Sequence, residues 1–128
     1  MPNYSTKMML DRETMPVADD TYEYTNRNTG RKYLIRLYES GCIINLSSEF
    51  DVEVKDEREA LRRIEEFDTD PRALGIVFLI REPDGSYKLG YRAPVWIGHK
   101  MSHKDLFLMT DHMNDLVAEL AADISGNK

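Results

Sequence analysis

The chain has 128 residues, of which 41% are apolar, and this composition suits one globular core and argues against global disorder. No apolar run approaches the roughly 20 residues that span a bilayer, no signal-peptide pattern begins the chain, and the single cysteine, Cys42, fits a reducing, cytoplasmic location. The net charge of −6 argues against a dedicated nucleic-acid binder, and residues 49–70 account for all of it, with ten acidic and four basic side chains.

The first twenty residues follow neither the period of a helix nor that of a strand. Met8-Met9-Leu10 would suit a short helix, but Pro2, Pro16 and the Asp19-Asp20 pair interrupt any longer regular element. We therefore expect a flexible N-terminal arm over residues 1–20 and a single α+β domain over residues 21–128.

The next part of the chain alternates apolar and polar side chains between turn residues, which is typical of antiparallel strands. One strand is predicted over residues 21–25 and a second over residues 32–39, joined by a hairpin loop in which Gly30 takes the left-handed position. A third strand is predicted between residues 42 and 54, with a bend near its middle. Together these strands form an antiparallel meander.

A second hairpin is predicted from an apolar run over residues 74–80, the turn sequence Pro83-Asp84-Gly85-Ser86 and an alternating segment over residues 87–92. The first of its strands is apolar on both faces, so we place it in the centre of the sheet and the second strand nearer an edge. Should helices cover only one face of the sheet, the other face becomes a candidate contact with a partner or with another copy of the chain.

Two helices complete the predicted fold. Residues 56–67 carry an apolar stripe behind the N-cap residue Asp56, and a longer helix begins at the capping sequence Ser102-x-x-Asp105 and ends at Gly126. The sequence thus predicts an α+β, two-layer domain, in which an antiparallel sheet of about five strands carries two helices, the C-terminal one long. A homodimer through the long helix or through an uncovered sheet face is compatible with this architecture.

The acidic segment supplies the leading functional prediction. Glu49, Asp51 and Glu53 would share one strand face at intervals of about 6.6 Å, and Glu57 begins the following helix. Such fixed carboxylates can enter a basic site on a partner protein, and Trp96 is the candidate apolar anchor. We expect a small non-enzymatic interaction protein, an inhibitor or adaptor of bacterial or phage type. The competing interpretation is a solvated acidic surface, partly neutralised by its own arginines.

A second interpretation is a nucleic-acid-binding accessory protein. The first hairpin interleaves tyrosines with basic side chains, and basic groups attract phosphates while exposed rings stack on unpaired bases. The simpler explanation is that the rings lie half in the core and that the arginines solvate the turn. The candidate residues are Tyr24, Arg27, Arg31, Lys32 and Arg36.

A third interpretation is a metal-dependent hydrolase. His99, His103 and His112 are all the histidines of the chain, they lie within fourteen positions, and Asp105 and Asp111 are further candidate ligands. Solvated or helix-end histidines would give the same pattern, and no HExxH, HD or CxxC motif accompanies these residues. Because GxSxG, GxGxxG and GxxxxGK[ST] motifs are also missing, the sequence predicts no cofactor and does not favour an enzyme.

Overall fold

The computed structural model of the chain describes residues 4–38, 43–96 and 101–126. In these residues one antiparallel sheet of six strands carries three helices, and the α+β class predicted from sequence is confirmed, with one more strand and one more helix than expected. The elements in chain order are α1 (Tyr4–Glu13), β1 (Met15–Ala18), β2 (Thr21–Thr25), β3 (Lys32–Leu37), β4 (Ile43–Val52), α2 (Glu57–Asp68), β5 (Ile76–Arg81), β6 (Tyr87–Trp96) and α3 (His103–Ser125).

The strand order in the sheet is β1-β2-β3-β4-β6-β5, and every neighbouring pair is antiparallel. Strands β2 to β4 form the expected meander, and β1 extends it by one strand that was not predicted. The two longest strands, β4 and β6, pair without interruption from Ile43 opposite Trp96 to Val52 opposite Tyr87. They therefore form the backbone of the sheet, and β5 is added at its edge.

The edge position of β5 shows that the predicted order of the second hairpin is wrong, because β6 is the central strand. The segment 74–80 is apolar on both faces although it contributes an edge strand. Val77 is buried beneath the helices, whereas Ile76 and Phe78 face the other side of the sheet and stay partly exposed. Ala93-Pro94 does not end β6, since β5 pairs with β6 only as far as Arg92 and Pro94 lies beyond that point.

Both predicted helices are confirmed, and their termini carry the predicted caps. The Asp56 carboxylate accepts hydrogen bonds from the backbone N–H groups of Arg58 and Glu59 at the start of α2. Ser102 and Asp105 form a reciprocal capping box at the start of α3, and Gly126 ends that helix at a φ of 77°. No helix among the described residues is long and apolar enough to cross a membrane.

Residues 4–18 differ from the flexible arm expected from sequence. They form α1 and β1, β1 pairs with β2, and Leu10 is 0% exposed in the core. The hydroxyl of Tyr22 on β2 donates to the Asp11 carboxylate at 2.9 Å and accepts from Lys7 Nζ at 3.1 Å, which ties α1 to the sheet. Because few of its side chains are buried, α1 has a weak apolar period, and sequence pattern alone does not identify it.

The core lies between the sheet and the three helices, and it is unusually rich in tyrosine. Tyr22, Tyr33 and Tyr91 are among its largest fully buried side chains. The Tyr33 hydroxyl donates to the Thr110 carbonyl of α3 at 3.0 Å, and burial raises the pKa of Tyr33 to about 12. The hydroxyl of Tyr91 is also buried, and no described group forms a hydrogen bond with it.

Candidate functional site: the open face of the sheet

The face of the sheet opposite the helices has no covering element among the described residues. Side chains alternate along each strand, so that Ile44, Leu46 and Phe50 of β4 enter the core while the residues between them point away from it. We call this second surface the open face. Its residues include Glu23, Lys32, Leu34, Arg36, Asn45, Ser47, Glu49, Asp51, Ile76, Phe78, Ile80, Lys88, Gly90, Arg92 and Pro94.

Three partly exposed apolar side chains, which we call the apolar band, lie on the open face, one on β3 and two on β5 with β4 and β6 between them. Leu34 on β3 is 48% exposed, and on β5 Ile76 is 44% and Phe78 is 40% exposed. A Cβ atom at Gly90 would lie only 2.3 Å from a ring carbon of Phe78, so the Phe78 ring rests directly on the bare backbone of β6. Apolar side chains that share one face of a sheet without a covering element typically mark a binding surface.

The charges of the open face are sorted by position along β4. At one end Arg36 lies opposite Asn45, and Arg92 lies opposite Ser47 in the next row. Towards the other end, β4 itself contributes Glu49 and then Asp51. From the row of Arg36 to the row of Asp51 is six residues, or about 20 Å. The face therefore has a basic end and an acidic end. The apolar side chains Leu34 and Ile76 share the row of Arg92 at the basic end.

Ion pairs neutralise the middle of this surface but not its two ends. Lys32 Nζ lies 3.6 Å from Glu23, and Lys88 Nζ lies 3.9 Å from Glu49. At the two ends of this surface, four exposed charged side chains form no ion pair with a described residue: Arg36, Arg92, Asp51 and Glu53. The Arg36 guanidinium lies 5.9 Å from the centre of the Tyr38 ring. The uncompensated charges are thus the ones available to a partner.

Two grooves of similar size run along the open face. The first has a volume of about 750 Å³, is lined in part by Leu34 and Phe78, and contains both ion pairs. The second has a volume of about 740 Å³ and lies at the basic end, where Arg36 and Arg92 line it. We call the second one the arginine groove.

The acidic block predicted as a partner-binding surface is divided between the two layers of the molecule. Glu49 and Asp51 lie on the open face, and Glu53 follows them as an exposed residue. Glu57 instead begins α2 and forms an ion pair with Arg81 of β5. Trp96 ends β6, where it pairs with Ile43.

Several other acidic side chains of the block are engaged within the molecule. Glu59 forms ion pairs with Arg62 and Arg63, and the pairing with Arg62 lowers the pKa of its carboxyl group. The Arg72 guanidinium holds the pKa of Asp70 at about 2. Exposed pairs of this kind contribute little to stability. They do, however, reduce the charge that α2 presents to a partner, so the acidic end of the open face is the more available anionic surface.

The structure separates the residues of the predicted nucleic-acid site. Tyr24 is buried, and its ring meets the ring of His103 edge-on at a centroid distance of 5.9 Å. The Arg31 guanidinium lies 3.6 Å from the centre of the Phe50 ring, and its Nε donates to Asn114 at 3.0 Å. Tyr24 therefore offers no ring face on which a base could stack, and Arg31 has a structural role.

The remaining residues of that site also lack a common surface. Arg27 lies over the Phe107 ring of α3 at 5.2 Å, and Lys32 is paired with Glu23. Arg36 alone among the five candidates combines exposure with a place in the arginine groove. The basic hairpin is thus distributed over both sides of the sheet.

The described histidines do not form a metal site with each other. His103 and His112 are nine residues apart on α3, which corresponds to about 13 Å along the helix axis. The His112 ring contacts the carbonyl oxygen of Arg72 at 3.2 Å. In the described parts of the chain no group of three His, Cys, Asp or Glu side chains could hold a metal ion, and His99, like Cys42, lies outside those parts.

Sequence reasoning missed several residues that define the open face. Arg92, Ile76 and Phe78 were assigned to a hairpin, and no binding role was inferred for them. Their signal was the apolar pattern on both faces of residues 74–80, which indicates either a central strand or an edge strand with one uncovered face. The choice between the two depends on pairing with β4, which the hairpin sequence does not encode.

Comparisons with known proteins define the fold and nothing finer. No protein-family model matches the chain, and no curated protein sequence matches it. Among solved structures, YbjN of E. coli, described as a putative transcription regulator, aligns with a TM-score of 0.56 at 12% identity over 91% of this chain and 86% of its own. A chain of the heterodimeric ExoU–SpcU complex from the type III secretion system of Pseudomonas aeruginosa aligns with a TM-score of 0.45 at 14% identity over 95% and 93%. The chain is therefore similar in fold to YbjN.

Proposed function

We propose that the protein is a non-enzymatic interaction protein, an inhibitor or adaptor, which binds a partner protein on the open face of its sheet. The observation that carries this proposal is the one-sided coverage of the sheet, which leaves Leu34, Ile76 and Phe78 partly exposed on one surface. Exposing apolar side chains to water costs free energy, and a partner that covers them recovers it.

The arrangement of charges supports a docked partner with a fixed orientation. Glu49, Asp51 and Glu53 at the acidic end would face a basic site on the partner, as the acidic-surface prediction requires. Charges at the rim of an interface mainly raise the association rate and fix the orientation, whereas buried apolar groups supply most of the lasting affinity. The same surface thus offers both contributions.

The size of the open face suits this role. Five strands at about 4.8 Å spacing and a length of about 20 Å give an area of roughly 24 by 20 Å. This is about 480 Å² per partner, which is the scale of weak or transient protein interfaces. The proposed mechanism is occlusion, in which the partner's basic site is covered while the apolar band holds the two proteins together. Trp96, at the end of β6, remains the candidate anchor at the margin of this surface.

A capture experiment with charge-reversed variants tests the proposal. The immobilised wild-type protein and the double variant E49K/D51K are exposed to lysate of the source organism, and bound proteins are quantified by mass spectrometry. We expect E49K/D51K to retain about tenfold less of the specific partner. Asp51, which forms no ion pair with a described residue, becomes repulsive, and the new lysine at position 49 lies beside Lys88 instead of pairing with it. Its melting temperature should stay within about 3 °C of the wild type, because both side chains are exposed.

The matched control is E65K/E119K, which makes the same change of net charge at exposed positions on α2 and α3. This variant should capture the partner as the wild type does. Equal capture by all three proteins would contradict a role for the acidic end, and equal loss in both variants would reduce the effect to net charge.

A further inference from the structure

We infer that the arginine groove binds an acidic, partly apolar peptide segment of the partner protein. This inference rests on the proposed function and adds the chemistry of what binds at the second end of the open face. The partner would then carry opposite charges at two places, a basic site over the acidic end and an acidic segment over the arginine groove.

The two arginines approach the groove from opposite sides. Arg36 projects from β3 and Arg92 from β6, and both strands are direct neighbours of β4, which lies between them. Two strand spacings separate β3 from β6, which is about 10 Å. An extended peptide laid along β4 would therefore have one guanidinium group on each side, and Asn45 would form the polar floor beneath it.

Among the described residues, the charge of the groove is uncompensated. Those that line it include two arginines and no acidic side chain, and neither arginine forms an ion pair with a described residue. The first groove differs in this respect, because its lysines are paired with Glu23 and Glu49. A guanidinium group binds a carboxylate through two parallel hydrogen bonds, so two free arginines favour an occupant with at least two carboxylates.

The wall of the groove is apolar, which excludes an occupant that is acidic only. Tyr38, Leu74 and Ile76 line it, and all three are partly exposed to water. The Gly75 backbone presses against β6: a Cβ atom at this position would lie 2.2 Å from the carbonyl oxygen of Arg92. Glycine is therefore required for the segment to sit this close, and the close approach holds the neighbouring Leu74 at the rim.

A peptide segment fits this surface better than a second copy of the chain. The acidic end of another copy would bring Asp51 and Glu53 to the arginines, and it would supply the charge. The acidic end of that copy has few exposed apolar side chains to cover the wall of the groove. Ile80 is only partly exposed, and the residue opposite Asp51 is Lys88. Tyr38, Leu74 and Ile76 would remain largely uncovered. A segment with two consecutive acidic residues flanked by apolar ones reaches both arginines, because consecutive side chains of an extended chain point to opposite sides, and its apolar residues cover the wall.

Binding of a defined peptide tests the inference directly. The probe is a fluorescently labelled peptide of about seven residues, a length that spans roughly 20 Å, with two consecutive Glu residues flanked by Leu residues. Its partner probe has Gln at every Glu. Fluorescence anisotropy is measured with the wild-type protein, R36Q/R92Q and the control R58Q, which removes an exposed arginine of α2 that forms no ion pair with a described residue. We expect the Glu peptide to bind R36Q/R92Q about tenfold more weakly than the wild type and R58Q equally well.

Two results would overturn the inference. The first is equal binding of the Glu and Gln peptides, or equal binding by R36Q/R92Q and the wild type. The second is a dimer in light scattering that dissociates in R36Q/R92Q, because a second copy would then occupy the groove. Neither result affects partner capture through Glu49 and Asp51. If E49K/D51K captures the partner as well as the wild type and the Glu peptide still binds, the proposed function fails but the peptide site in the arginine groove is supported.

Discussion

Two buried tyrosines of the core show how one hydroxyl group can have opposite effects on stability. Tyr33 donates its hydroxyl to the Thr110 carbonyl at 3.0 Å, so the cost of removing it from water is offset. Tyr91 is 1% exposed and no described group forms a hydrogen bond with its hydroxyl, so that cost stays uncompensated. Burial raises the pKa of both phenols, which agrees with their removal from water.

The same substitution at these two positions should therefore change stability in opposite directions. We expect Tyr91→Phe to raise the free energy of unfolding by about 1 kcal/mol and Tyr33→Phe to lower it by about 1 kcal/mol. Urea unfolding followed by circular dichroism measures both changes. A loss of stability in Tyr91→Phe comparable to that in Tyr33→Phe would mean that the Tyr91 hydroxyl has a partner.

Residue roles were predictable where they depend on neighbours in sequence. The caps at Asp56 and Ser102 follow from residues at most three positions away, and the structure confirms them. Arg31 was instead assigned to nucleic-acid binding, because its partner Asn114 lies 83 positions further along the chain. Only the fold brings such residues together.

At the scale of elements, α1 determines where the domain begins. The helix contributes Met9 and Leu10 to the core and is joined to β2 by the contacts of Tyr22. An arm that is only loosely attached would contribute nothing to the stability of residues 21–128. The two cases predict different costs for the same truncation of a side chain.

We expect Leu10→Ala to lower the free energy of unfolding by about 3 kcal/mol, because it removes a fully buried side chain and leaves a cavity. Met8→Ala is the control on the same helix, since Met8 is 64% exposed, and it should change stability by less than about 0.5 kcal/mol. Thermal or urea unfolding gives both values. Equal, small changes in the free energy of unfolding of the two variants would support the flexible N-terminal arm predicted from sequence.

The order of strands could be predicted only in part. The meander of β2, β3 and β4 and the hairpin of β5 and β6 follow from alternation and turn residues, because hairpins join neighbours in sequence. Which hairpin strand pairs with β4 is a long-range choice, and both orders satisfy the local pattern. The pairing of β4 with β6 over ten residues decides the strand order. The apolar segment 74–80, which contributes β5, therefore lies at the edge of the sheet and not in its centre.

At the scale of the whole molecule, the described residues form three helices on one side of a six-stranded sheet, and no described element covers the other side. The sequence predicted an uncovered sheet face only on the condition that the helices cover one side of the sheet. It did not indicate how the acidic block divides. The chain crosses from the sheet layer to the helix layer between Val52 and Glu57, so side chains that are close in sequence end on different surfaces.

The most direct test of the open face uses methyl groups on the two sides of the molecule. Leu34 and Ile76 report on the open face, and Leu61 and Leu108 are comparably exposed reporters on α2 and α3. Methyl NMR spectra are recorded with and without the partner recovered by capture. We predict that the signals of Leu34 and Ile76 shift or broaden while those of Leu61 and Leu108 stay in place. Changes at Leu61 and Leu108 with Leu34 and Ile76 unaltered would place the partner on the helices and contradict the account.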